Sequence, residues 1–390
     1  MKFEVNRLAM LEAAKSMAKI VPTNAPVNEL NNILIEANDS TGEVFLTATS
    51  YEVSIQQKIN AYVEESGSML VTPRMLIGMM SLLLEQAVKL SADSAERLTV
   101  TGGRCRYQIN CIPSKSYPKP TMPFPEESVI MTGICSLAKR TAFLVSKDES
   151  IPALQCVKIN LRNNAVHATA SDGVGIMLTK DSAEQSEERE FLLPGRSFAM
   201  LASISKDSDV FEVGDIGREI VFVRGDMIFT IRKLATGTYM DTAALVKSIT
   251  PAYSAVTDVS KMREALDIIS ISALMGNSPQ PINLVLSDNE IALSCTSDYS
   301  EGNTSVPAVV SQKTAETGFL YNASALQRLF NVLDGRVKLE LDTNGFMLVK
   351  TRSEVYIQSP LRSQSRVVRS AEKSKEKQRA KGAEEMKRAA

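Results

Sequence analysis

Leu70-Val71-Thr72-Pro73-Arg74-Met75-Leu76 compresses a strand end and a helix start into seven residues, and the chain repeats this form three times. The apolar pair Leu70-Val71 closes an alternating stretch. Pro73 suits the first turn of a helix, where the amide it lacks would be unpaired anyway, and Met75 and Leu76 begin an apolar helical face. Leu192-Leu193-Pro194-Gly195-Arg196-Ser197-Phe198 and Leu320-Tyr321-Asn322-Ala323-Ser324-Ala325-Leu326 have the same form. Matching Thr72, Pro194 and Asn322 gives intervals of 122 and 128 residues.

Working outward, a second trio lies between these: Asn6-Arg7-Leu8-Ala9-Met10-Leu11-Glu12, Thr132-Gly133-Ile134-Cys135-Ser136-Leu137-Ala138 and Ser260-Lys261-Met262-Arg263-Glu264-Ala265-Leu266. Asn6, Thr132 and Ser260 are the expected N-caps, each offering a side-chain oxygen to an unpaired first-turn amide. Interleaved, the six starts fall at 6, 72, 132, 194, 260 and 322, a half-repeat of 60 to 66 residues. Such regular recurrence is the sequence mark of a repeated structural unit.

After each start come period-2 stretches, in the first repeat Ile33–Glu36, Val44–Ala48, Val53–Ile59, Val88–Ser91, Leu98–Thr101 and Cys105–Ile109. Turn signals separate them, among them Asp39-Ser40-Thr41-Gly42, Asn163-Asn164 and Ser287-Asp288-Asn289, so the strands read as antiparallel hairpins. Thr47-Ala48-Thr49-Ser50, Thr169-Ala170-Ser171-Asp172 and Ser294-Cys295-Thr296-Ser297 echo one another in register. In the first helix Leu8, Leu11, Ala14 and Ala18 form the expected apolar stripe, with Glu12, Lys15, Ser16 and Lys19 turned away. Two half-repeats burying helices and sheets against each other make a domain of ~120 residues, a comfortable size. Three such domains in a row leave open edge strands at both ends, which a symmetric dimer would satisfy together.

The chain of 390 residues is 44% apolar and 23% charged, the mix of a soluble globular protein. No apolar run approaches the ~18 residues of a membrane span, and the start carries no cleavable leader, so a cytoplasmic location is expected. The five cysteines are scattered without a CxxC pair, and His167 is the single histidine. Buried free thiols, no metal and no cofactor are expected, and acid–base catalysis through paired histidines is excluded. Walker motifs, carboxylate clusters and Ser/His arrangements are missing as well, which argues against an enzyme. Net charge is −1, but residues 363–390 carry nine Lys/Arg and four Glu, a net of +5. That segment lacks an apolar stripe and reads as a disordered or helical charged tail.

The architecture and several motifs resemble the bacterial DNA polymerase III β subunit, the β sliding clamp, over residues 1–362. The resemblance rests on Lys139-Arg140-Thr141-Ala142-Phe143-Leu144-Val145-Ser146-Lys147-Asp148-Glu149-Ser150, the opening Met1-Lys2-Phe3-Glu4-Val5-Asn6-Arg7, the turn Ala170-Ser171-Asp172-Gly173 and the close Ser359-Pro360-Leu361-Arg362. It implies an α+β fold with a three-fold internal repeat of the DNA-clamp domain, each of two helices and about eight antiparallel strands. The domains would be 1–124, 125–251 and 252–362, and two chains would close into a six-domain ring with helices lining the hole. The implied role is a non-catalytic processivity factor that encircles double-stranded DNA and tethers polymerase, clamp loader and repair factors through linear peptides. A specialised clamp-like scaffold with altered loading is the alternative.

Sliding requires contact to phosphates without base readout. The candidates on helix faces are Lys15, Lys19, Arg74, Lys139, Arg196, Arg263 and Arg328, with Arg74 and Arg196 at matching repeat positions. Asn24, Ile151 and Gln280 or Pro281 stand where the family pattern has basic residues, which implies a weaker electrostatic grip. For a peptide groove between the second and third domains the resemblance points to Leu154, Ser171, Gly173, Val174, Gly175, Ile176, Met240, Leu245, Ile357, Ser359, Pro360 and Leu361, with Arg362 at the rim. Val174, Gly175, Met240 and Ser359 depart from the family pattern and imply an altered peptide preference. For the dimer seam it points to Arg104, Arg106, Tyr107 and Ile109 in the first domain, facing Leu274, Met275, Asp298 and Glu301 of the other subunit.

Overall fold

The computed structural model describes residues 1–361 apart from 94–95, 183–187, 235–237, 275–280, 298–299 and 316–317. Seven α-helices lie in these residues: α1 (Arg7–Ala18), α2 (Pro73–Leu82), α3 (Ile134–Thr141), α4 (Gly195–Ser203), α5 (Thr242–Ser248), α6 (Val259–Leu274) and α7 (Ala323–Val332). Six begin within two residues of the starts read from the repeat, and α5 is additional. They pack in pairs, α1 on α2, α3 on α4 and α6 on α7.

The caps show where local chemistry sets these starts. The Asn6 side chain accepts from the amides of Leu8 and Ala9 at 2.9 and 3.1 Å, and Asn322 from that of Ala325 at 3.0 Å. Two of the expected caps shift. Residue 133, a glycine at φ +68°, takes the cap position instead of Thr132, since Gly tolerates the left-handed backbone at that junction. At α6 the helix begins one residue before Ser260, because the Asp258 carboxylate accepts both the Ser260 amide (2.9 Å) and its hydroxyl (2.7 Å). The α1 stripe also differs: Leu8 is exposed, and Met10, Leu11, Ala13, Ala14 and Met17 are buried. The larger methionines take the core side, and Leu11 and Ala14 are common to both stripes.

The chain divides into two compact units, Met1–Asp172 with Thr179–Tyr239, and Gly173–Leu178 with the residues from Met240 on. In the first, the strands expected at its start are all present, five of them one or two residues longer than their sequence signal and the one expected to end at Ile59 running on to Glu65. Strand Val53–Glu65 is the longest at 13 residues: its first part pairs with Met227–Arg232, its last with Lys2–Asn6, and Glu43–Thr49 runs along its middle. Thus strands of the first and second repeats share one sheet. A hairpin joins Cys156–Arg162 to Ala165–Ser171 through Asn163 and Asn164, at φ 52° and 54°. Two consecutive left-handed residues make the type I′ turn that matches strand twist, and Asn is among the few residues that accept it.

In the second unit, Pro281–Ser287 pairs with Glu290–Thr296 and Phe319–Asn322, and Glu301–Pro307 adds to the outer side of Glu290–Thr296. Tyr253–Asp258 lies between Val309–Gln312 and Arg336–Leu341, which continues through Met347–Lys350 to Glu354–Gln358. Alternation is clean where one face meets α6 and α7, as in Pro281–Ser287, where every second residue is buried. Helix α6 lies close over Glu301–Pro307. A Cβ on Gly302 would come within 2.8 Å of the Ser272 hydroxyl oxygen and 3.1 Å of Ile269, so only glycine admits this approach.

Candidate interaction surfaces

The paired helices of the first unit are strongly basic. Helices α1 to α4 carry Arg7, Lys15, Arg74, Lys139, Arg140 and Arg196 against the single acid Glu12. Lys15, Arg74, Lys139 and Arg196 are exposed, and Arg74 and Arg196 each occupy the second residue of their helix. Lys19, just past α1, is exposed and donates its ammonium to the Ser203 carbonyl at the end of α4. Lys15 lies 3.9 Å from Glu12. Exposed pairs of this kind add little to stability, so their charge stays available to a polyanion. Arg140 is mostly withdrawn into an ion pair with Asp181.

The second unit differs. Arg328 is exposed, with its Nε donating to the Ser324 carbonyl at 3.3 Å. Arg263 is half-buried, and its guanidinium donates to Phe330 (3.1 and 3.0 Å) and Leu333 (3.0 Å) carbonyls at the end of α7. These are acceptors without partners inside the helix, and a cation there also opposes the negative end of the helix dipole. Arg7 does the same for α2, donating to the carbonyls of Met80 at 2.8 Å and Glu85 at 3.1 Å. Asn24 and Ile151, where basic residues would strengthen a phosphate surface, are both exposed.

An apolar patch lies within the second unit. Ile176, Leu348 and Ile357 form its buried floor, with Leu178, Val246, Ile249 and Val355 packed against it. Val174, Met240, Leu245 and Leu361 are exposed apolar residues of the same unit, and Pro360 is half-buried. Gly173, at φ +88°, turns the chain into Val174, whose carbonyl accepts from the Ser359 amide (3.2 Å) and hydroxyl (3.0 Å). That pair ties the 173–175 turn to the end of the last strand, and Leu361 is held by its amide to the Leu320 carbonyl at 2.7 Å. Of the groove residues that the resemblance pointed to, Ile176 and Ile357 lie in this cluster, which also holds Leu178, Val246, Ile249, Leu348 and Val355. The Leu245, Val246, Ile249 spacing on α5 and just past it was the available signal. Leu154 and Ser171 belong to the first unit and are buried there, Leu154 in the 3₁₀ turn Pro152–Gln155 and Ser171 at the end of its strand. Arg362 lies outside the described residues.

Each unit also ends in an open strand edge. Cys105–Asn110 is the last strand of its sheet, bonded along Arg97–Gly102. Arg104, in the turn just before it, and Arg106 are exposed, and Tyr107 and Ile109 on the strand are half-buried. Leu82 and Leu84, at the end of α2 in the same unit, are exposed at 71% and 94%. In the second unit Glu301–Pro307 is the terminal strand, with Glu301 exposed, and α6 above it shows Ile268, Ile271 and Leu274 to solvent. Open edges flanked by exposed apolar side chains are pairing surfaces. Met275 and Asp298 lie outside the described residues.

Cys135, Cys156 and Cys295 are buried as expected, whereas Cys105 is exposed because it begins the edge strand. Burial pushes the thiols of Cys111 and Cys156 up to about 11, so neither is a thiolate at neutral pH. His167, half-buried on its strand, is held below the usual histidine range by burial and then by Arg162 and Lys180. Among the described residues no three His, Cys, Asp or Glu side chains gather as a metal would require, and no helix is long and apolar enough to cross a membrane.

Residues 1–123 match the family model described as DNA polymerase III beta subunit, N-terminal domain. The beta sliding clamp of Chlamydia trachomatis is 24% identical over 329 residues, covering 82% of this chain and 76% of that protein. The beta sliding clamp of Streptomyces coelicolor is 30% identical over 173 residues, 44% of this chain and 45% of the relative. In fold, the crystal structure of the DNA polymerase beta subunit from Streptococcus pyogenes matches with a TM-score of 0.82 at 20% identity, covering 93% of this chain and 100% of that one. Residues 1–123 thus match the model of the DNA polymerase III beta subunit N-terminal domain, most of the chain is similar in sequence to bacterial beta sliding clamps, and its fold is that of the solved beta subunits.

Proposed function

We propose that the chain is a DNA sliding clamp, a non-catalytic processivity factor that holds a polymerase on its template. The observation that carries this reading is the excess of exposed basic side chains on α1 to α4, where Lys15, Arg74, Lys139 and Arg196 stand against the single acid Glu12, in a chain of net charge −1. Contacts made by exposed Lys and Arg to phosphates bind every sequence alike and leave the protein able to move along the duplex. Lys15, Lys19, Arg74, Lys139, Arg196 and Arg328 are the phosphate contacts in this reading. Arg263 is left out, because its guanidinium is committed to the end of α7.

Two copies would close a ring by pairing Cys105–Asn110 of one with Glu301–Pro307 of the other. The open edges support this, as does the complement of Arg104 and Arg106 with Glu301. The domain limits 1–124, 125–251 and 252–362 belong to the same proposal, and the end of the family match at residue 123 supports the first. Linear peptides of polymerase and loader subunits would dock on the apolar patch around Ile176 and Ile357. A cytoplasmic protein working at the nucleoid is the location this implies.

The test is retention on closed against cut DNA. After loading onto a nicked circular plasmid, the protein is expected to stay through gel filtration at ~0.3 M salt and to be lost once the plasmid is linearised. Equal loss from both forms would overturn encirclement.

A further inference from the structure

We propose that Lys338 and Lys350 select acidic peptides for the apolar patch of the second unit, so that a partner's docking segment carries a carboxylate close to its apolar side chains. The inference rests on the reading of that patch as a peptide-docking surface and adds the chemistry of what docks there.

The strand registers put the two lysines and the patch on one face. Leu348 stands opposite Ile357, and Lys350, two residues on, stands opposite Val355, so Lys350 continues the face that carries Leu348. Across the next strand pair Glu340 faces Leu348 and Lys338 faces Lys350. Val256 then lies opposite Lys338 and Val309 opposite Val256, both exposed, Val309 at 70%. One row thus runs Val355, Lys350, Lys338, Val256, Val309, about 19 Å long at the usual strand spacing. Val337 and Leu339, which alternate with Lys338 and Glu340, are buried on the opposite side of the sheet.

Glu340 holds two cations where its charge needs one. Its side chain is 8% exposed beneath Lys338 and Lys350, which are 51% and 36% exposed, so the surplus positive charge faces solvent. Lysines directly opposite one another repel, and a single lysine would pair the carboxylate without that cost. The next cation on the same face, Arg336, stands opposite Asp258 and adds no net charge. A second carboxylate arriving from outside would relieve the repulsion that remains. Because apolar side chains flank the lysines at both ends of the row, the complement is an acidic peptide rather than a DNA backbone, which would leave Val256 and Val309 unmatched. An extended peptide anchored on Ile176, Leu348 and Ile357 reaches the ammonium groups about two to four residues from its anchor, at ~3.3 Å per residue.

The test uses labelled nonapeptides with two adjacent leucines and, two, three or four residues on, Asp, Asn or Lys in an otherwise Gly/Ser sequence. Fluorescence anisotropy follows their binding to the full chain, to E340Q, and to the triple variant K338Q, E340Q and K350Q, which leaves no buried charge alone. At ~20 mM salt the full chain is expected to bind the best Asp peptide at least about threefold more tightly than its Asn counterpart, and the Lys peptide most weakly. E340Q should widen that ratio, and the triple variant should bring it to one with affinity for the Asn peptide unchanged. Equal binding of Asp and Asn peptides by the full chain would overturn the proposal, as would a ratio that survives in the triple variant. A triple variant that kept the ratio but lost affinity for a 30-base-pair duplex would overturn it in favour of phosphate. V246D, within the patch, separates the two readings. If it weakens the Asn peptide, the patch stands whatever the Asp ratio shows; binding indifferent to it would take the patch reading and the proposal down together.

Discussion

Glu340 is the residue at which packing and charge meet most directly. Its side chain is only 8% exposed, on strand Arg336–Leu341, and it receives the ammonium groups of Lys338 at 2.6 Å and Lys350 at 2.5 Å. Lys338 and Lys350 stand directly opposite one another across the strand pair, a repulsive arrangement that the carboxylate neutralises. Burial acts most strongly on this carboxyl and pushes it up. The hydrogen bonds and charges of the two lysines together outweigh burial, and it ends below the ordinary glutamate range. A carboxyl lowered in this way contributes stability above its unfolded pKa and loses it as pH falls through the folded value. Glu340→Gln should therefore cost about 1–2 kcal/mol in urea unfolding near neutral pH, and almost nothing once the wild-type carboxyl is itself protonated. An equal penalty at both pH values would refute the ion-pair account.

At the scale of elements, Arg7 and Arg263 do matching work, each fastening the C-terminal end of the second helix in a pair to the first. Arg263→Ala should lower the stability of the second unit by about 2 kcal/mol while leaving the salt slope of DNA binding unchanged. A fall in that slope would return Arg263 to the phosphate surface. The sequence alone could not separate this arginine from Arg74 or Arg196, because each is a helix cation and only the neighbouring helix end decides its use. The helix starts were legible for the opposite reason: Asn6 and Asn322 accept from amides within three residues of themselves, and Pro73 fixes its own backbone in the first turn. Where a competing cap stood nearby, as Asp258 does before Ser260, the reading of the cap slipped by two residues. The apolar patch was half legible, since its floor draws on residues near 176, 246 and 348 to 357, and no local pattern joins segments so distant. The strands were read well because hairpin turns such as Asn163-Asn164 fix register locally.

For the molecule as a whole, the two open edges make self-association measurable. Sedimentation equilibrium should give a particle of twice 42.6 kDa, and R104E with R106E should shift it toward the monomer. Adding Glu301→Arg to that double variant should restore part of the dimer, because the exchange recreates opposite charges across the seam. A dimer indifferent to all three substitutions would mean that Cys105–Asn110 and Glu301–Pro307 do not meet.

Strand Val53–Glu65 has a mechanical consequence. Residues from the first repeat and the second are laced to one continuous backbone, Met227–Arg232 to its beginning and Lys2–Asn6 to its end. A force pulling these repeats apart along the strand would load many hydrogen bonds side by side, in shear, instead of peeling them one at a time. The first unit should therefore resist being drawn apart along this strand, and in the proposed ring elastic strain would concentrate at weaker junctions. A loader that opened such an assembly would be using the first unit as a lever.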